Sequence, residues 1–277
     1  MARFFTKPDP ADLQAGRITI TGPDVNHITN VLRASKGDRL VLCDGAGTDY
    51  DVVIDEISRD RIVAVISNTG PSMTEPPVAI TLFQGIPKAD KMEYVIQKCV
   101  EIGVTRIVPV ITSRSVVKFG SDRDAEAKTA RWNRIALEAA KQCDRGIVPE
   151  VAGPVKFDEA LRLAEGHGLK LFPYEEEKEG SFTKVLQDHR AAMAGGEHGR
   201  TAGQKVAILI GPEGGFDPDE AEKAAASGFI PVTLGPRILR TETAGLVVAS
   251  IVMYELGDMG DPVKIRNSGS ADKQPGK

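Results

Sequence analysis

Cysteine is scarce in this chain, and no two of its three cysteines are paired in sequence: Cys43, Cys99 and Cys143 stand far apart without a C-x-x-C pair. Neither a disulfide framework nor a zinc knuckle is indicated, and the simplest reading is buried thiols. The four histidines, His27, His167, His189 and His198, share no ligand spacing, so no metal is expected. No window approaches the roughly 18 consecutive apolar residues of a membrane helix. Met1–Pro10 is polar, without the apolar centre of a signal peptide, which makes a cytoplasmic protein without a membrane partner the expectation. The P-loop pattern is missing, and no Gly-x-Gly-x-x-Gly follows the first strand of the α/β region, which disfavours ATP hydrolysis and a conventional dinucleotide site. Overall positive charge is missing too, since 35 Lys and Arg stand against 39 Asp and Glu for a net charge of −4.

What is present is ordinary globular material: 277 residues, 41% hydrophobic and 27% charged, enough for two domains. Arg17–Thr21, Arg39–Cys43, Tyr50–Ile57 and Arg61–Ser67 read as short strands split by Gly, Asp or Ser, with one helical piece at Asp24–Ala34. Residues 1–70 are therefore expected to form a small barrel or sandwich. Gly70–Pro77 carries three prolines and no apolar periodicity, so 71–77 reads as a linker.

From Val78 the rhythm changes to alternating strand and helix. Strands are expected at Val78–Phe83, Arg106–Ile111, Leu169–Phe172, Val206–Ile210 and Pro231–Leu234. Helices are expected at Asp90–Ile102, Ala125–Gln142, Phe182–Met193, Pro218–Ser227 and Glu242–Leu256. This α/β pattern over 78–258 implies a mostly parallel sheet covered on both faces. Asp90 and Glu93 have the spacing of a capping box, and Met92, Val95, Ile96 and Cys99 share a face, placing Cys99 in the core. Ala194–Gln204 reads as a mobile insertion and 259–277 as a disordered tail. In the final helix, Ala244–Tyr254 is apolar or small nearly all round, which demands cover on every side and points to a homodimer interface.

Chemistry concentrates in two glycine loops. LIGPEGG at Leu209–Gly215 and LGPRILRTETA at Leu234–Ala244 each follow an apolar strand and feed a helix, so together they suggest one small-molecule pocket at strand ends. Glu213 is either a ligand-binding acid or a loop cap. Thr241 suits an N-cap and Glu242 suits the positive end of the helix dipole. Arg237 and Arg240 lie where that dipole disfavours cations, which an anionic partner explains better than capping does. A further local excess runs from Arg106 to Arg145, with nine Lys or Arg against five Asp or Glu. It is either a phosphate-facing patch or a solvated helix face.

These blocks resemble the RsmE methyltransferases of the SPOUT superfamily, which methylate N3 of a uridine in 16S ribosomal RNA. The resemblance runs in order through HITNVLRASKGDRL at His27–Leu40, KADKMEYVIQKCVEIGV at Lys88–Val104 and PVITSRSV at Pro109–Val116. It continues through RWNRIALEAAKQCDRGIVPEV at Arg131–Val151, LIGPEGGFDPDE at Leu209–Glu220 and the LGPRILRTETA loop. It implies a PUA-like RNA-binding barrel before a SPOUT domain whose last part is a trefoil knot, and a homodimer acting on 16S ribosomal RNA within the small subunit. S-adenosylmethionine is the implied methyl donor, held by three loops. These supply Phe172 and Pro173, then Ile210, Gly211, Pro212, Glu213 and Gly214, then Leu234, Gly235, Ile238 and Leu239 with Thr243.

At the catalytic end, Arg240 is assigned as the cation that stabilises the uracil anion and Glu242 as the base, with Arg237 beside them and, like Arg114, on phosphate. Arg33, Arg114, Lys118, Arg131, Arg134 and Arg145 are the expected RNA contacts, which Lys88 and Lys91 extend. Two alternatives stay open: a non-catalytic RNA-binding or ribosome assembly factor, and a SPOUT enzyme acting on another RNA.

Overall fold

The computed structural model describes residues 2–117, 119–194, 203–260 and 262. Lys118, most of the stretch expected to be a mobile insertion and nearly all of the expected tail lie outside the described residues. Among the described residues no helix is long and apolar enough to cross a membrane. Nor, among them, do three or more His, Cys, Asp or Glu cluster as metal ligands would.

The first sheet is a curled half-barrel. Its strands are β1 (Arg3–Phe5), β2 (Arg17–Thr21), β3 (Arg39–Cys43), β4 (Thr48–Ile57) and β5 (Arg61–Pro71), in the order β1-β3-β4-β5-β2. All neighbours are antiparallel except β1 with β3. Alternation decides the inner face: Ile18, Ile20, Leu40, Leu42, Ile54 and Ile62 are buried together while their neighbours point outward. Register shifts after Asp51 and Ile54 bend β4, which curls the sheet. After α1 (Pro10–Gln14), the single helix expected at Asp24–Ala34 is in fact α2 (Pro23–Asn26) running into a π-helical turn at His27–Val31. That turn ends on Arg33, a non-glycine residue at φ 55.

The second sheet has seven parallel strands. They are β6 (Val78–Gly85), β7 (Arg106–Ile111), β8 (Glu150–Val151), β9 (Val155–Lys156), β10 (Leu169–Pro173), β11 (Gln204–Ile210) and β12 (Ile230–Val232). Their order is β12-β10-β11-β6-β7-β8, with β9 also on β7. Strand residues alternate between two cores. Val206, Ile208 and Ile210 face α3 (Lys91–Glu101), α4 (Asp122–Gln142), α6 (Phe182–Ala194) and α8 (Thr241–Glu255). Ala207 and Leu209 face α5 (Phe157–Leu163) and α7 (Pro218–Ala226). Burial on both faces is why these strands read as nearly continuous apolar runs.

One backbone approach needs glycine: a Cβ on Gly85 would stand 2.6 Å from Pro212 N. The end of β6 and the loop after β11 thus pack almost chain against chain, while a Cβ on Gly245 at the start of α8 would lie against the Gln84 and Leu82 side chains, 3.2 Å from Gln84 Oε1.

The sheets meet along a seam of backbone hydrogen bonds. Gly47 N donates to Gly146 O at 3.1 Å, Val148 N donates to Gly45 O at 3.1 Å, and Cys43 Sγ donates to Gly146 O at 3.0 Å. At its centre the Glu75 carboxylate accepts from Gly146 N (2.7 Å), Ile147 N (3.0 Å) and Arg145 Nη2 (2.7 Å). Arg145 Nη1 also donates to Val104 O at 2.6 Å. The Arg145 side chain is only 3% exposed. This corrects the expectation that it touches RNA: the guanidinium is buried and all three of its nitrogens donate to groups inside the protein.

Candidate functional site

Carboxyl ends of β10, β11 and β12 open onto a cavity of about 790 Å³, the usual position for a ligand in an open parallel sheet. Three chain segments wall it. The first leaves β10 at Pro173 and Tyr174, the second leaves β11 at Ile210–Glu213, and the third follows β12 from Thr233 to Arg240. Helix α8 closes the floor with Thr241 and Ala244.

Most residues expected to bind the donor meet here: Pro173, Ile210, Gly211, Pro212, Glu213, Leu234, Gly235, Ile238 and Leu239 all line the cavity. Gly235 sits at φ 94, a conformation that only glycine adopts without strain. Three do not line it. Phe172 is buried beneath, stacked on the cavity-lining Tyr174 with ring centroids 5.2 Å apart and edge-on to Phe216. Gly214 turns its carbonyl toward Arg114 Nη1 at 3.0 Å. Thr243 lies inside the first turn of α8 and is not among the lining residues.

Of the catalytic set, Arg237 and Arg240 are exposed on the cavity rim, with no hydrogen bond or ion pair to either guanidinium among the described residues. Glu242 points at Lys91: its Oε2 is 3.2 Å from Lys91 Nζ. That oxygen is shielded from solvent and lies in no aligned hydrogen bond, so it keeps accepting capacity.

Thr241 is not the N-cap expected of it. Arg240 occupies that position, in extended conformation and without a side-chain cap. The Thr241 hydroxyl instead donates to Gly211 O at 2.6 Å and accepts from Gln84 Nε2 at 2.9 Å. A buried relay thereby fixes the second loop to the floor of the cavity. The expected capping box at α3 is also unmade: Asp90 caps nothing with its side chain, and Glu93 pairs with Arg131.

Glu213 resolves as a tethered acid. Its carboxylate accepts from Lys88 N at 3.1 Å and from Lys91 Nζ at 3.0 Å. Partial burial pushes the Glu213 carboxyl up, but hydrogen bonds from its own backbone, Lys91 and Lys88 outweigh it and hold the group below the usual carboxylate range. The hydrogen bond to Glu213, with the nearby Glu242 carboxylate in support, outweighs desolvation and raises Lys91 above an ordinary lysine. Lys91 is thus held by carboxylates, whereas Lys88 contributes only its backbone N–H and is itself exposed.

Sequence reasoning did not place Lys91, Glu175, Glu177, Lys178 or Phe216 on this cavity. Lys91 had no usable signal, because the helix it starts precedes the second loop by more than a hundred residues.

Of the expected RNA contacts, Arg33 is exposed and Arg134 lies in the groove between α3 and α4. Arg131 is ion-paired with Glu93, and Arg114 braces the second loop through Gly214 O while reaching Asp217 at 3.7 Å.

A family described as an RNA methyltransferase domain matches residues 74–253, and one described as an RNA methyltransferase PUA domain matches residues 20–67. The chain is 32% identical over 256 residues to ribosomal RNA small subunit methyltransferase E of Bacillus subtilis (strain 168), spanning 92% of this chain and 97% of that one. A Neisseria gonorrhoeae ribosomal RNA small subunit methyltransferase E solved bound to S-adenosyl methionine has a TM-score of 0.74 and 32% identity, with 93% and 99% of the two chains covered. A Legionella pneumophila methyltransferase in complex with the same cofactor has a TM-score of 0.71 and 30% identity, with 92% and 98% covered.

Proposed function

The chain belongs to the RNA methyltransferase family of ribosomal RNA small subunit methyltransferase E, and on that premise we propose that it methylates N3 of a uridine in 16S ribosomal RNA with S-adenosylmethionine as donor. One observation carries the reading. The glycine-loop cavity carries Arg237 and Arg240 on its rim, and the cavity-lining Lys91 reaches the solvent-shielded Oε2 of Glu242, which lies behind the lining at 3.2 Å from Lys91 Nζ.

The cavity fits the donor. Its volume is within the usual range for a small-molecule site, roughly 300–1,000 Å³. Its walls combine apolar Ile210, Leu234 and Leu239 with the Tyr174 and Phe216 rings and with glycine backbone that side chains leave accessible. When bound, the donor supplies an activated sulfonium methyl. What is left to the protein is alignment, removal of a weakly acidic N3 proton and stabilisation of the resulting charge. Glu242 accepts the proton. Arg240, projecting from the start of α8, stabilises negative charge on a uracil oxygen, and Arg237 holds phosphate. Arg33, Arg114, Arg131 and Arg134 form the wider RNA footprint, those in ion pairs exchanging their partner for phosphate.

The half-barrel acts as the RNA-binding unit over residues 1–70, joined through 71–77 to a methyltransferase domain at 78–258. The close crossing at Gly85 and Pro212 belongs to a trefoil knot. The enzyme works as a cytoplasmic homodimer on the small subunit. Supporting the dimer, α8 buries one face and leaves Leu246, Val247, Ser250 and Tyr254 less covered, while Ile238 beside the cavity is 85% exposed.

Nucleoside mass spectrometry of 16S RNA from cells with and without the gene tests the substrate. Loss of 3-methyluridine on deletion is expected, and its persistence sinks the reading. Calorimetry with S-adenosylmethionine tests the pocket independently. Glu242→Gln is expected to keep donor binding and lose turnover; full turnover would remove the base assignment.

A further inference from the structure

Lys91, the first residue of α3, is the only side chain from that helix on the cavity. It bridges two acids from distant parts of the chain, with Nζ 3.0 Å from Glu213 Oε1 and 3.2 Å from Glu242 Oε2. The first acid belongs to the loop after β11 and the second to the opening turn of α8. An ammonium suits this place, since it is a compact charge with several rotatable donors.

The approach to Lys91 is itself under strain. Ala89 sits at φ 53, a left-handed conformation that a residue with a Cβ rarely adopts. That turn aims Lys88 N–H at the same Glu213 carboxylate, at 3.1 and 3.3 Å from its two oxygens. Strain of this kind persists only where surrounding contacts impose it, and it concentrates at working sites. Lys91 remains partly solvent-exposed, so stability alone is a weak reason for the arrangement. Its geometric effect is definite: it sets the distance between the second loop and the Glu242 carboxylate.

We propose that Lys91 is a positioning residue for methyl transfer, holding Glu242 at a fixed place against the Glu213 loop so that the proton acceptor and the donor pocket stay in register. The proposal rests on Glu242 being the proton acceptor.

The test is steady-state kinetics of Lys91→Met, Lys91→Arg, Glu242→Gln and the Lys91→Met/Glu242→Gln double variant, with S-adenosylmethionine affinity measured by calorimetry. Lys91→Met is expected to lower kcat about 100-fold, the usual scale for a catalytic group displaced by an ångström. Donor affinity should move far less. Lys91→Arg, which keeps the charge, should recover most of the loss. Because a unit fails as one, the double variant should be no slower than Glu242→Gln alone by more than about twofold.

Wild-type kcat in Lys91→Met overturns the proposal. So does a defect confined to donor affinity, or losses that multiply fully in the double variant. Should Lys91→Met not fold, Glu213→Gln carries the test, since it frees one end of the bridge; unchanged kcat there overturns the proposal as well. If Glu242→Gln alone keeps full turnover, the proton-acceptor reading itself has failed. A slow Glu242→Gln beside an unaffected Lys91→Met sinks the bridge only.

Discussion

Replacing Arg145 by methionine asks whether this arginine works inside the protein or on RNA. Its guanidinium donates to Glu75 Oε2 at 2.7 Å, to Val104 O at 2.6 Å and to Val100 O at 3.3 Å, and only 3% of the side chain meets solvent. Methionine fills the space of the aliphatic stem but leaves two buried carbonyls and a mostly buried carboxylate short of a partner. Breaking a buried ion pair from one side costs about 3–5 kcal/mol. With about 2–4 °C of melting temperature per kcal/mol for a chain near this size, a drop of about 6–20 °C follows. Differential scanning calorimetry reads that drop. RNA binding across a salt series reads the alternative, because a lost phosphate contact flattens the log–log slope by about 1. An unchanged melting temperature together with a flattened slope would show the internal assignment to be wrong.

Gly85→Ala places a Cβ 2.6 Å from Pro212 N, against backbone that has no rotamer to escape into, so a loss of about 3 kcal/mol or a failure to fold is expected. Urea unfolding measures it, and wild-type stability would refute the close crossing. Thr241→Val removes the donor to Gly211 O and one of the two acceptors of Gln84 Nε2, which keeps Gly85 O, for a loss of about 1–3 kcal/mol in all. Weakened S-adenosylmethionine binding in calorimetry should accompany the lost stability. Burial raises the Cys99 thiol to about 12 from 9.0, so within that interval the folded chain holds a proton that the unfolded chain releases. Stability is therefore lost as pH rises from 9.0 toward 12, and Cys99→Ala should reduce that slope. With a thiol reagent on native protein, the partly exposed Cys143 is expected to react before Cys43 and Cys99; prompt labelling of Cys99 would contradict its burial.

Strands β6, β7, β10 and β11 were legible because each is an apolar run bounded by Gly, Pro or polar residues, and two-sided burial writes that pattern directly. Strands of two or three residues, such as β1, β8 and β9, leave no periodicity to read; their pairing is decided by neighbours far along the chain. The π-helical turn at His27–Val31 has no signature separating it from the α-helical spacing that Asp24–Ala34 shows. At the site, glycine spacing marked the second and third loops, since glycine reports a backbone need that is local. Thr241 and Arg145 were misread for one reason: a hydroxyl at a helix start and an arginine in a basic stretch have obvious local uses. Contacts 30 and 70 residues away in sequence, to Gly211 and Glu75, override those uses. Lys91 became legible only when the topology brought residues 91, 213 and 242 together.

The seam between the two sheets makes the barrel a ruler. Gly47, Gly146, Gly45 and Val148 join through main-chain hydrogen bonds at 3.1 Å, so the span from barrel to cavity is set by backbone and does not stretch with side-chain motion. On the proposed reading, RNA held by the barrel would present its uridine to the cavity at a fixed span. A short flexible oligonucleotide carrying the same uridine would first have to be ordered to that span, at a cost in conformational entropy that a preformed RNA fold has already met.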